Sequence, residues 1–399
     1  MENEHIFTRN PKPSLESKKK RKWLKPLLIL VAIILLVGGV FAWKAESLFD
    51  KISTNGSVIG SLTHIIPGVA DELKGEKEGR INILLLGMRG EELSGGGLLA
   101  DTIMVASIVP AENKISLFSI PRDLYVQNPG TTSKSKINAV YAYGEDKKKG
   151  GGMEDMKTVV SEIVGQPVGY ALAINFKGFT DLVNAVGGIE VELKQPFEEA
   201  MQFNEERVCD SYTFTKKTGK FENKYHTRND GSRYLAVSYP LCTNPNTECG
   251  GDFKLPAGKQ ILDGEKALCY ARSRKTTSDF ERAKRQQLVI QKIKEKALSA
   301  GTLTDFTKVN AMIDSLGNNI KTDMQAWEIK RFYEVQGKMN NPQMSQRVLE
   351  NNTEGLLYNP EQRPETGYIL LPIGDNYDKI RESFQNIFTL PAQSDIKGY

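Results

Sequence analysis

Apolar positions fall into short, dense runs along most of the chain. The longest is Leu27–Ala42, bracketed by Trp23 and Trp43, so that 21 residues from Trp23 to Trp43 are interrupted only by Lys25. That length suits a single membrane-spanning helix with Lys25 snorkelling to the headgroups. A cleaved signal peptide is the alternative, disfavoured because Ala42-Trp43-Lys44 crowds a small-x-small cleavage site. Lysines precede the run and only Lys44 follows closely, which predicts a cytoplasmic N-terminus and a large outer region.

Outside that run the period changes. Ile81–Gly87, Thr102–Ile108 and Lys114–Ile120 are nearly continuous apolar segments bounded by turn residues, as expected of strands covered on both faces. Met153–Val164 and Phe179–Val186 read as covering helices, the second stopped by Gly187-Gly188 before a strand Ile189–Leu193. Ala267–Ala271 reads as a strand and Asp279–Leu298 as a long helix with Leu288, Ile290, Ile293 and Ala297 on its buried stripe. Phe306–Leu316 and Met324–Glu334 look helical, Tyr368–Leu371 a last strand, and Asp375–Ile387 a closing helix. The pattern predicts an α/β fold: a three-layer α/β/α domain with a mixed central sheet, outside the single N-terminal transmembrane helix. Its parts are a basic tail 1–25, the span 26–43, a stalk 44–77, the domain 78–390 and a C-terminal tail 391–399. Within the domain, 198–255 is an elaborated region, richer in polar and aromatic residues and with few long apolar runs.

Charge supports this division. Residues 1–25 carry eight Lys/Arg against three Glu, and the whole chain is +4, so residues 26–399 sum to −1. The basic character therefore belongs to the tail facing anionic membrane lipid, and no nucleic acid is expected as partner. Cys209, Cys242, Cys249 and Cys269 form an even set on the outer side. Cys242 and Cys249 flank a turn-rich segment and are expected to pair, leaving Cys209 with Cys269; free thiols and a zinc site are the alternatives.

Three polar clusters carry candidate chemistry. Asp101 follows Gly95-Gly96-Gly97 and opens an apolar strand, where a carboxylate suits Mg2+ or a simple backbone cap. Arg122 and Asp123 follow Pro121, which ends a strand and puts them at the sheet rim, either to clamp a phosphate or as a local ion pair. Ala271–Gln287 is the richest: Arg272 and Arg274 share a face if the strand continues, Asp279 is a plausible N-cap, and Arg282 and Arg285 lie on one side of the following helix. Guanidiniums converging on a helix N-terminus oppose its dipole unless an anion is present, which favours a phosphate or pyrophosphate site over a solvated charge run. The chain holds no G-x-S-x-G elbow, Walker A loop or H-E-x-x-H motif.

Taken together, Asn82–Gly87, Ala100–Ile108, Ser119–Val126, Lys136–Ala142, Gly187–Val191, Leu262–Leu268 and Ala271–Arg274 with Asp279, Arg282, Arg285, Gln286 and Gln287 resemble the LytR-CpsA-Psr family, over roughly residues 78–390. The resemblance implies a transferase. It would move a glycan from a polyprenyl-pyrophosphate donor onto a peptidoglycan acceptor with Mg2+ (or Mn2+) as cofactor. It further implies that Asp101 coordinates the metal and that Arg122, Arg272 and Arg274 bind pyrophosphate or support transfer. Arg282, Arg285 and Gln286 match the helix that closes the head-group site. The polyprenyl tail would lie in an apolar tunnel, with the helices around 153–186 and 324–334 as candidate walls. Asp123 ranks ahead of Asp101 as the acceptor's base, because a metal-bound carboxylate is a poor one. The family pattern Gly-x-Asp after the first strand is replaced by Gly87-Met88-Arg89. Either Glu91 or Glu92 supplies the second metal ligand, or Arg89 itself neutralises pyrophosphate. A non-catalytic polyanion- or cell-wall-binding protein is the alternative reading.

Overall fold

The computed structural model describes residues 72–90, 97–199, 206–209, 215–228, 230–243, 253–274, 276–299, 316–352, 355–361 and 367–393. The expected membrane span, the helix over 306–315 and Glu91 lie outside them. The central sheet has six strands: β1 (Ile81–Gly87), β2 (Thr102–Val109), β3 (Lys114–Ser119), β4 (Tyr170–Ile174), β5 (Ile320–Thr322) and β6 (Gln343–Val348). Their order is β5-β4-β1-β2-β3-β6, with β1–β4 and β3–β6 parallel and the other neighbours antiparallel, so the sheet is mixed as expected.

Alternate residues of β1 feed two cores. Leu84 and Leu86 join Ile103, Val105 and Phe118 beneath α1 (Val140–Lys147), α2 (Gly151–Val164) and a later helix over Asp378–Gln385. On α2 the buried Met153, Met156, Val159, Val160 and Ile163 recur at helical spacing, and Gly165 ends the helix in a left-handed conformation (φ 69°). Phe118 meets Phe384 edge-to-face at 5.3 Å between ring centroids. Ile81, Ile83 and Leu85 face the other way, with Ile108 and Ile115, toward Ile329, Phe332 and Val335. The layers are therefore helix, sheet, helix.

A second core lies beside this one. It joins α3 (Phe176–Ala185), α4 (Gly264–Arg272) and α5 (Asp279–Ser299) with the strand pair Ile189–Leu193 and Gly258–Leu262. The segment read as a strand over Ala267–Ala271 is thus a helix. Five consecutive buried residues carry no period that separates the two, and the structure decides by capping: the Asp263 side chain accepts from the Lys266 amide. Gly264 lets α4 approach α3 closely, since a Cβ there would stand 2.3 Å from the Thr180 carbonyl oxygen. Helix α6 (Ala326–Gly337) completes the outer layer over β1 and β2.

The elaborated region contains a long antiparallel hairpin, Lys216–Thr227 with Arg233–Thr243. A third short strand, Arg207–Val208, pairs with Leu241 and Cys242 and carries Cys209 alongside, so the disulfide is Cys209–Cys242. The expected Cys242–Cys249 and Cys209–Cys269 pairings are both excluded by that bond. Strand register, not the short loop, chose the partner. Cys269, on α4, is also disulfide-bonded.

Candidate functional site

Three elements end at one rim of the sheet. Asp101 precedes β2, Arg122 and Asp123 follow β3 after Pro121, and the first turns of α5 bring Asp279, Arg282 and Gln286. The Ser278 hydroxyl accepts from the Glu281 amide, so Ser278 rather than Asp279 caps α5. Asp279 is released from capping and becomes the centre of a charge network. Its Oδ1 and Oδ2 are each 2.9 Å from Arg282 nitrogens, its Oδ1 is 3.5 Å from Arg274 Nη1 and 4.0 Å from Arg122 Nε. Arg122 Nη1 donates to Asp101 Oδ1 at 2.6 Å, and Arg282 Nη2 to the Asp101 carbonyl at 3.2 Å.

Burial sharpens these contacts. It works against the charge of Arg122, but Asp101, Asp279 and Asp123 outweigh it and raise the guanidinium's pKa. For Arg282 burial prevails: its pKa is lowered, with Asp279 and Asp101 opposing the shift and Arg122 and Arg274 adding to it. The Nε atoms of Arg122 and Arg282 are buried without a hydrogen-bond partner. Both Arg122 and Arg282 line one crevice, so these two spare donors stand where a ligand's acceptor atoms would satisfy them. Asp101, Ser119, Arg122, Asp279, Arg282 and Gln286 line that crevice, whose volume of about 10 Å3 suits a single water.

The other sequence-selected residues divide. Asp123 Oδ1 is 2.8 Å from Lys136 Nζ and its Oδ2 is 3.6 Å from Arg122 Nε, so it braces Arg122 at the edge of the cluster. Because α4 is a helix that stops at Arg272, Arg272 and Arg274 do not share a strand face. Arg272 stacks on Phe176 with its guanidinium carbon 4.5 Å from the ring centroid, whereas Arg274 reaches Asp279. Arg285 is fully buried away from the crevice and donates to the carbonyls of Tyr270 (3.2 Å) and Ser273 and to Thr277 Oγ1 (3.1 Å). Burial lowers its pKa against Tyr270, Glu281 and Glu199. It fastens the Arg274 loop rather than the ligand. Gln286 Nε2 donates to the Ala271 carbonyl while lining the crevice. Arg89 lies two residues beyond the end of β1, whose Gly87 pairs with Thr102, next to Asp101.

Two contributors had no assigned role in the sequence. Glu199, fully buried, accepts from Thr276 N at 3.2 Å and Thr276 Oγ1 at 3.0 Å, a second tie on the Arg274 loop beside those of Arg285. Gln287 Nε2 bonds the Leu117 carbonyl, Ser119 Oγ and the Arg347 carbonyl, pinning α5 to β3 and β6. A buried acid 77 residues from its partner leaves no local trace in sequence.

A second cavity opens on the sheet face under α5 and α6. It holds about 320 Å3 and is walled by Ile83, Leu85, Ala106, Leu117, Ile290 and Phe332 among others. Of the two candidate tunnel walls, 324–334 lines this cavity through Met324, Ile329 and Phe332, whereas the helices over 153–186 pack on the opposite face or in the second core. Crevice and cavity are neighbours: one reaches Ser119 and Gln286, the other Leu117 and Ile290, two residues along β3 and about one turn along α5.

A LytR_cpsA_psr family model matches residues 53–363. The chain belongs to the LytR_cpsA_psr family. Among its relatives, the polyisoprenyl-teichoic acid–peptidoglycan teichoic acid transferase TagV of Bacillus subtilis strain 168 is 25% identical over 377 residues, covering 92% of this chain and 79% of that protein. The similarly named TagU of Oceanobacillus iheyensis is 28% identical over 321 residues, covering 77% and 79%. The crystal structure of Bacillus subtilis TagV superposes with a TM-score of 0.51 at 22% identity over 78% of this chain and 98% of that one, a likeness of fold. The LytR_cpsA_psr motifs thus correspond to a charged rim and an apolar cavity in one domain.

Proposed function

We propose that this protein is a transferase that moves a glycopolymer from a polyprenyl-pyrophosphate carrier onto peptidoglycan, releasing polyprenyl phosphate. The observation that carries it is the adjacency, along β3 and α5, of the rim bearing Arg122, Arg274 and Arg282 and the 320 Å3 apolar cavity, which suits a ligand with a diphosphate head on the rim and a hydrocarbon tail in the cavity. TagV and TagU, by their names, catalyse transfer of this kind.

Arg122, Arg274 and Arg282 bind the pyrophosphate and offset charge as the bridging P–O bond breaks. An acceptor hydroxyl oxygen attacks the glycan-side phosphorus, polyprenyl phosphate leaves, and the hydroxyl proton passes to solvent. In a loose phosphoryl transfer positioning and charge carry the rate, so Asp123 serves by bracing Arg122. Arg89, at the end of β1, adds a cation on the pyrophosphate side.

Mg2+ fits this donor set in one way. Among the described residues no group of three or more His, Cys, Asp or Glu is placed to hold a metal, yet Asp101 and Asp279 line the same crevice. One or two carboxylates completed by phosphate oxygens is an ordinary Mg2+ arrangement. Asp101, with Asp279 near it, would hold the ion together with the donor, and Mg2+ would add charge neutralisation at the phosphates.

Membrane association follows from the substrate, and we place the anchor at 26–43 with the domain outside. Among the described residues no helix is long and apolar enough to cross a membrane. Protease added to intact cells with a permeable wall is expected to digest the domain and spare the N-terminal tail. The decisive assay is transfer from a lipid-pyrophosphate glycan to peptidoglycan with Mg2+. Asp101→Ala is expected to abolish transfer while keeping carrier binding, and Arg274→Ala to weaken both. Carrier binding with no transfer by the parent chain would leave a polyanion binder.

A further inference from the structure

The site's chemistry does not use the hairpin Lys216–Thr227/Arg233–Thr243. Yet this element carries much of the exposed apolar surface among the described residues. Phe221 is 60% exposed, Tyr225 56% and Leu235 50%, and the register pairs Tyr225 with Leu235 on one face. On the other face Lys224 lies over Tyr239 (5.4 Å to the ring centroid), and beside it Arg228 lies over Tyr234 (4.8 Å). Between Lys216 and Thr243 there are six Lys/Arg against two acids, Glu222 and Asp230, in a chain whose residues 26–399 are nearly neutral. Exposed rings interleaved with cations on a projecting strand pair mark an interaction surface.

The hairpin is also tied to the site. Cys209–Cys242 staples its root. Phe197–Glu199, before it, pairs with Phe253–Leu255, after it, and Glu199 in that pair holds Thr276 in the Arg274 loop. The root strand therefore begins, at Arg207, eight residues along the chain from Glu199, which holds the Arg274 loop.

We propose that the hairpin is a docking arm for the anionic glycopolymer of the donor, with Phe221, Tyr225, Tyr234 and Tyr239 offering ring faces to sugars and Lys220, Lys224, Arg228 and Arg233 meeting its phosphate groups. The proposal rests on the reading of the site as a pyrophosphate-donor site. A lipid surface fits less well. The tip holds Arg228, Asp230 and Arg233, with Asp230 accepting from Ser232, whereas the apolar side chains are spread along both faces behind it.

The test uses the full chain in detergent and the triple variant Phe221→Ser, Lys224→Ser, Tyr225→Ser, whose side chains are all exposed and whose unfolding midpoint should equal the parent's. The parent is expected to bind poly(glycerol phosphate) with an affinity that falls with salt, and the variant about tenfold more weakly, as loss of two ring faces and a cation implies. KM for a polymer-bearing lipid-pyrophosphate donor should rise about as much, while a donor carrying one disaccharide keeps its KM and kcat. Equal polymer affinity in parent and variant overturns the proposal. So does a defect confined to phosphatidylglycerol vesicles, to peptidoglycan sacculi or to self-association. A parent that binds polymer through the hairpin but turns over no donor would refute the transferase reading and leave the arm standing.

Discussion

Asp279→Asn tests the charge network at its centre. The Arg282 side chain is only 8% exposed and depends on Asp279 for two contacts of 2.9 Å. Removing one partner of a buried ion pair costs about 3–5 kcal/mol. Two features of this site reduce that figure. Asp279 is itself 28% exposed, and the Asp101 carbonyl remains 3.2 Å from Arg282, so the expected loss is about 2–3 kcal/mol. Against a usual stability of about 5–15 kcal/mol the chain stays folded. The same substitution removes a negative charge that competes with a ligand for Arg122, Arg274 and Arg282. Inorganic pyrophosphate should therefore bind the variant more tightly and stabilise it more than it stabilises the parent; at a hundredfold excess over its own Kd the variant gains about 2.7 kcal/mol, and the parent, at the same concentration, less. Equilibrium urea unfolding of the full chain in detergent, followed by circular dichroism with and without pyrophosphate, measures both effects. A loss below about 0.5 kcal/mol, or equal pyrophosphate stabilisation of the two proteins, would show that Asp279 is not the counter-charge of a buried cation.

The remaining predictions concern the loop, the cavity and the rim of the domain. Glu199→Gln and Thr276→Val each remove the charge-assisted contact that holds the Arg274 loop and should each cost about 1–2 kcal/mol and a matching share of kcat/KM; the double variant should cost little more than either, and additive losses would mean the two residues do not act together. Ala106→Phe narrows the apolar cavity and is expected to raise KM about tenfold for a long-chain polyprenyl donor, the equivalent of roughly two buried methylenes, with a smaller effect on a short-chain analogue. Glu76 has a pKa below the usual carboxylate value: burial raises it, but hydrogen bonds from Arg331 and the Leu73 amide and the charge of Arg331 prevail. Its stabilising contribution is therefore complete above the unfolded carboxylate pKa and lost as pH falls through the lower folded value. The stability gap between the parent and Glu76→Gln should be present at neutral pH and close in acid, and a gap that widens in acid would reverse the assignment.

Much of the frame was legible in the residue pattern. The bounds of β1 and of Ile189–Leu193 coincide with the expected strands, and β2, β3, α2 and α5 differ by a few residues at most. Burial imposes a local period, and each of these segments keeps one period over enough residues to declare it. The gathering of charge at the rim was also legible, because Asp101, Arg122, Asp279 and Arg282 stand at strand ends and a helix start, and the structure brings them together as one ion-pair network. What the period could not decide was Ala267–Ala271, buried on every side, where a cap at Asp263 and close packing of Gly264 on Thr180 made a helix. Spacing alone could not tell Arg285, turned inward to fasten a loop, from Arg282, three residues before it and turned to the crevice. Nor could it pair Cys242 with Cys209, which strand register brings together, or Glu199 with Thr276. Those outcomes depend on which distant segments share a packed surface, and that is set by the tertiary arrangement, since a side chain's partner across space leaves no period along the chain.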